Sequence, residues 1–311
     1  MKKSIIGLFT ALFFVSIAGC KINVGSSGGQ QGDSVPTGNF KQTGYIKTGT
    51  QNINVTNYDL VTFGNFPQSE KDSNVTVSTT ATNVNGFTCY KGDDDEWYVN
   101  LGSKYYKVEP IKWRVLTTNY DHDGNASTPG KKLLLAENIL INKSYDYYAS
   151  DSYADSPIRN YLTGDFFTTA FTQAEQAAIA TTTVVNNAES TNPDSNATLW
   201  NDGDNPYASD TPTSDKIFLL SEQEATKADY GFAAYNAYGT GNTRIRMTTA
   251  FAQANGAFQS STAGYGGSWW LRSPICDDSI SAHIVDIDGN ASICGTKDFG
   301  YRGVVPALCL E

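Results

Sequence analysis

The stretch Gly267-Ser268-Trp269-Trp270-Leu271-Arg272-Ser273-Pro274, with its counterpart Gly303-Val304-Val305-Pro306-Ala307-Leu308-Cys309-Leu310 at the end of the chain, decides how this sequence is read. Both are strongly patterned in aromatic, apolar, Gly and Pro residues. The segment between them is not. Ile275-Cys276-Asp277-Asp278-Ser279-Ile280, His283-Ile284, Asp286-Ile287-Asp288, Ile293-Cys294, Asp298-Phe299 and Tyr301 follow neither the strand nor the helix period. A core strand does not normally mix Ile and Asp in this way. Rigid borders around an arbitrary middle describe a scaffold that displays side chains.

Outward from these borders the chain reads as short strands and short helices. Tyr58–Phe66, Trp97–Leu101 with Tyr105–Val108, Ile111–Leu116, Lys132–Ala136 and Lys216–Leu220 have strand character. In Ile111–Leu116 apolar residues are expected inward and Lys112 and Arg114 outward. Ser156-Pro157 is a helix start, with Ser as cap and Pro in the first turn. Thr172-Gln173-Ala174-Glu175 and Ser221-Glu222-Gln223-Glu224 are capping boxes. Met247–Phe258 suits one further helix. The Asn-, Asp- and Ser-rich span 181–213 reads as an excursion. The expected class is α+β with much irregular structure.

The N-terminus has the form of an export signal: Lys2-Lys3, an apolar run from Ile5 to Ile17, then Ile17-Ala18-Gly19-Cys20, which resembles a bacterial lipobox. Residues 1–19 are therefore expected to be removed and Cys20 to carry lipid, giving an outer-membrane or cell-surface protein anchored rather than spanning. The Gly- and Ser-rich stretch that follows reads as a tether over residues 20–43, with one domain from residue 44 to residue 311. The formal net charge is −10, which speaks against nucleic acid as a partner. Aromatic residues make up 12% of the chain, too many for a disordered one. Beyond Cys20 the cysteines are Cys89, Cys276, Cys294 and Cys309, and their pairing is open.

Six pieces occur in order: Pro110–Leu116, Leu134–Glu137, Ser156–Leu162, Asp215–Ser221, Trp269–Pro274 and Gly303–Leu308. Together they resemble bacterial surface domains with the C-type lectin fold of the formylglycine-generating-enzyme type. Within that family the chain is similar to the variable proteins of diversity-generating retroelements, among them spirochaete surface lipoproteins. The resemblance implies a segment, about 275–302, rewritten by error-prone copying at adenines, so that Asn codons spread to residues that exclude Lys, Glu, Gln, Trp and Met. Residues 275–294 contain none of these five, and Lys297 is then a fixed position. At Val305 the wider family commonly has Arg, so an ion pair is lost there.

On this reading Trp269, Trp270, Leu271, Val285, Ala291, Val304 and Leu308 form the frame. The two Trp are adjacent in a strand and point to opposite faces, so one can line the ligand surface. Ile275, Cys276, Asp277, Asp278, Ile280, His283, Ile284, Asp286, Ile287, Asp288, Ile293, Cys294, Asp298, Phe299 and Tyr301 are displayed, with Ile284 and Ile293 the two most open to being core. The expected partner is a protein or glycan on another cell, bound by a monomer without cofactor or metal. Asp121–Asn125 and Asp286–Asn290 resemble the opening of a calcium loop, but both lack the later Glu and read better as hairpin turns. Cys276 and Cys294 match the cysteine pair of the formylglycine-generating enzymes by count alone. His122 and His283 are expected in exposed loops, and the sequence offers no catalytic triad, phosphate loop or zinc spacing. The rival readings are an enzyme of that type and a carbohydrate-binding lipoprotein of fixed specificity.

Overall fold

A computed structural model describes residues 37–38, 46–53, 56–120, 130–147, 152–194, 205–277 and 279–311. Cys20, the tether apart from residues 37–38, the 121–125 turn and Asp278 lie outside these residues. All the described residues belong to one compact unit, Ser34–Glu311. It is a mixed α+β structure, mostly strands, with few and short helices.

The larger sheet is built from β1 (Ile46–Ile53), β2 (Thr56–Glu70), β3 (Val77–Val84), β4 (Phe87–Gly92), β5 (Trp97–Leu101), β6 (Lys104–Tyr120) and β7 (Lys131–Ala136). β5 and β6 form the hairpin expected from Gly102-Ser103, with Leu101 opposite Lys104. β6 is long enough to pair with β5 over its first residues, with β7 over its last, and with β2 along its other edge. The central position of β6 and β7 explains their apolar content. Ile111, Trp113 and Leu133 through Ala136 have no exposed surface, and the Trp113 indole donates to the Phe63 carbonyl at 2.7 Å.

Arg114 departs from the expected outward direction. It is 2% exposed, forked onto the Glu137 carboxylate and donating to the Thr243 carbonyl at 2.7 Å. Alternation fails here because both faces of this part of the sheet are covered, and a planar guanidinium can be buried when its donors are matched.

The sheet continues through the chain terminus. β9 (Ile217–Phe218) pairs with the final strand β14 (Ala307–Leu310), and β14 pairs with β7. A second sheet has the order β8 (Ile141–Asn142), β13 (Gly303–Val304), β10 (Trp269–Pro274), β11 (Ser281–Val285) and β12 (Ile293–Thr296). Since β13 leads directly into β14, the end of the chain joins the two sheets.

The local helix signals hold. The Ser156 hydroxyl accepts from the Arg159 amide, with Pro157 in the first turn. Both capping boxes, at Thr172 and Ser221, close reciprocally. The helix expected over Met247–Phe258 is shorter: Met247–Thr248 pairs as a strand with Asn138–Ile139, and only Ala250–Ala254 is helical. Within the 181–213 excursion, Thr182–Val184 pairs with Thr213–Asp215.

Candidate functional site

The 275–302 segment forms two strands and the three loops around them. Its supports are backbone and frame groups. The Lys297 amide donates to the Ile280 carbonyl at 2.7 Å, and the buried Lys297 ammonium donates to the Ser279 carbonyl at 2.7 Å. Ser144 holds the Asp298 carbonyl, Asn142 the Gly300 carbonyl, and the Phe258 amide the Tyr301 carbonyl. None of these bonds uses a side chain from the displayed set. A loop fastened in this way keeps its path when its outward side chains change.

The borders are equally specific. Both Trp269 and Trp270 are fully buried, which overturns the expectation that one of them could line a ligand surface. Their indoles donate to the Arg244 and Lys143 carbonyls at 3.2 and 2.9 Å. Arg272 donates to the Leu219 and Val185 carbonyls and pairs with Glu224, so the Trp-Trp-Leu-Arg-Ser-Pro stretch is fastened to the second capping box. The Glu224 carboxylate lies well below the usual range, at about 2. Burial opposes this shift, but Arg272 and the Tyr120 and Ser221 donors outweigh it. Arg244 binds the carbonyls of Ala233, Ala234 and Gly289 and so ties the 233–237 loop to the β11–β12 turn. That turn is closed by the Gly289 amide on the Asp286 carbonyl at 2.9 Å, the hairpin expected for 286–290. Gly289 sits at φ +85°, with Asn242 where a Cβ would be.

The proposed display residues divide three ways. Asp277, Ile280, Cys294, Asp298, Phe299 and Tyr301 are exposed. Cys276, Asp286, Ile287, Asp288 and Ile293 are half-buried, and Ile293 packs against the main core. Ile275, His283 and Ile284 are buried, so their expected display is corrected. β11 lies between β10 and β12 and is covered on both faces. Ile284 joins the main core, while His283 faces Glu222 with its Nδ1 3.6 Å from the carboxylate. Nor is His283 in an exposed loop. Ile275 is 4% exposed and follows Pro274, whose carbonyl accepts from the Asn205 side-chain amide at 2.9 Å.

The exposed group has a definite character. Phe299 and Tyr301 have ring centroids 5.6 Å apart. The Arg302 guanidinium lies 4.9 Å from the Tyr301 ring, 5.7 Å from Phe299 and 5.0 Å from Trp270. Arg302 thus joins the exposed rings to the buried frame by cation–π contact. It also packs where a Cβ on Gly295 would sit, so a larger residue there would have to displace the guanidinium. Phe258 is 49% exposed beside Tyr301 and extends the apolar surface. Sequence reading missed Phe258 and Arg302, because their part in this face follows only from long-range contacts. The exposed rings of Phe299 and Tyr301 thus follow an exposed carboxylate, Asp298, on the same loop.

Cys89, Cys276, Cys294 and Cys309 form no disulfide. Burial pushes the Cys89 and Cys309 thiols up to about 12. Burial, then the neighbouring Asp277, raises Cys276. Among the described residues no three His, Cys, Asp or Glu side chains converge as a metal site.

No characterised protein and no solved structure matches the chain. Residues 129–311, which contain β7 and everything after it, match a family described as a domain of unknown function, DUF6273. By that match over more than half of its length, the chain belongs to the DUF6273 family.

Proposed function

We propose that this protein is a surface-displayed lipoprotein that binds ligands through its 275–302 segment, on a scaffold of the C-type lectin type, with the segment diversified by a retroelement. The observation that carries this reading is the separation of support from display. The segment is held by Lys297, Ser144, Asn142 and backbone groups, while the side chains of Asp277, Ile280, Cys294, Asp298, Phe299 and Tyr301 are exposed. Ile280, Phe299 and Tyr301 would supply the apolar anchors, and the Asp side chains polar selection. The partner would be a protein or glycan on another cell.

Sequencing the locus from independent isolates tests the reading. Substitutions should concentrate at the exposed positions and spare Trp269, Trp270, Arg272, Gly295 and Lys297. An invariant segment would overturn diversification. Anchoring is tested separately: Cys20→Ser should move the protein from the detergent phase to the aqueous phase, and unchanged partitioning would exclude the lipid.

A further inference from the structure

Away from the 275–302 segment the structure contains a cleft of about 400 Å³, toward the small end of cavities that hold small molecules. One wall is the end of β2 together with β6. The other is Asn138 with residues 248–250. Both walls are fixed. The Gln68 side-chain amide donates to the Glu109 and Pro110 carbonyls at 3.1 and 3.2 Å, and the Ser69 amide to the Glu109 carboxylate at 2.9 Å. Across the cleft Thr249 caps the Ala250–Ala254 helix, and Phe251 of that helix packs edge-on against Phe66 and Tyr106.

The lining carries charges of both signs that do not meet. Glu70 is held through one oxygen by Lys104 at 2.7 Å, and Glu109 through one oxygen by Ser69. The second oxygen of each has no donor among the described residues. Lys112 lines the same cleft, and its ammonium makes no hydrogen bond or ion pair among the described residues. Lys112 and the two carboxylates share the cleft without pairing with one another, which is complementary to a molecule that carries both signs itself. No aromatic ring lines the cleft, and its apolar lining is Pro110 and Ala250, which gives a sugar ring little to stack on.

We propose that this cleft binds a small zwitterion, a free α-amino acid, with its carboxylate on Lys112 and its amine toward Glu70 and Glu109. The site is a joint one. Gln68 through Lys112 precede the DUF6273 match, whereas Asn138 and Thr248–Ala250 lie within it. It is independent of the display reading and uses none of the 275–302 side chains.

Calorimetric titration of the whole protein with the standard L-amino acids, one at a time at millimolar concentration, tests it. At least one should bind. Its N-acetyl and C-amide derivatives, each lacking one charge, should bind about tenfold or more weakly, the size of a lost charge-assisted hydrogen bond. Lys112→Ala should weaken binding by a similar factor with an unchanged melting temperature, because Lys112 is exposed and unpaired. Replacing Phe299 and Tyr301 should leave the affinity unchanged. The proposal is overturned if no amino acid binds, if binding survives Lys112→Ala, or if a neutral monosaccharide such as galactose binds in preference to every amino acid.

Discussion

Glu222 is a carboxylic acid without a hydrogen-bond donor. It is fully buried, and neither of its oxygens finds a partner among the described residues. His283, 3.6 Å away, is buried too, and its Nδ1 is likewise unpartnered. Burial drives Glu222 well above its ordinary 4.5, with only Arg244 opposing, and drives His283 down to about 4. At that separation and burial the pair is a neutral acid beside a neutral imidazole, not an ion pair. The two groups pull stability in opposite directions. Glu222 keeps its proton in the folded protein after the unfolded chain has lost it, so its contribution is full below pH 4.5 and is lost as pH rises. His283 stays neutral in the folded protein while the unfolded chain takes up a proton below 6.5, so its contribution is lost as pH falls from there toward about 4. Glu222→Gln keeps the shape and removes the ionisation. It should raise the unfolding free energy relative to wild type at mildly alkaline pH by about 1 kcal/mol or more, since one unit of raised carboxyl pKa is worth about 1.4 kcal/mol. Below pH 4.5 it should change little. A midpoint that falls at alkaline pH would show that Glu222 is ionised there and favourably paired.

At the scale of elements, β11 and the loops beside it separate what supports the terminal segment from what it displays. Replacing Asp277, Ile280, Asp298, Phe299 and Tyr301 together by Ser should cost no more than about 0.5 kcal/mol per position, as exposed substitutions usually do. Ile284→Ala, in the same segment, should cost about 2–5 kcal/mol, as core truncations do. Thermal or denaturant melts of the two variants compare these directly, and equal losses would dissolve the distinction. The contrast also marks what the sequence could reveal. Ser156, Thr172 and Ser221 were legible because a cap is a contact between residues three apart. The β5–β6 hairpin was legible because alternation and a Gly turn are local signals. His283, Ile284 and Arg114 were not, because a strand covered on both faces has no polar side to alternate with. Their burial depends on Glu222, on the main core, and on Glu137 with Thr243, partners whose positions emerge only after folding. The irregular mixture of Ile and Asp was a sound signal for the exposed positions 277, 280, 298, 299 and 301. It carried no information about depth at 275, 283 and 284.

At the scale of the whole molecule, the family boundary at residue 129 runs through a continuous core. β7, just inside the match, hydrogen-bonds to β6, which is outside it. Trp113, Ile111 and Phe63 belong to the same buried cluster as Leu134, Trp269 and Leu308. Arg114 of β6 is the bidentate partner of Glu137 and helps to hold that carboxylate below its usual range against the opposing effect of burial. A fragment of residues 129–311 would turn β7 into an edge strand, uncover the apolar face that Trp113 and Ile111 close, and strip Glu137 of its fork. Buried Arg246, already pushed down to about 9 by burial and by Arg114, would keep its contacts with the Ala136 and Thr243 carbonyls, but these alone cannot rebuild the missing face. Each lost core side chain is worth about 2–5 kcal/mol, and whole domains are stable by only about 5–15 kcal/mol. The fragment should therefore lack a cooperative melt and near-ultraviolet dichroism, while residues 44–311 should show both. A sharp cooperative transition from the fragment alone would mean that β1 to β6 are an appendage to an independently folding unit.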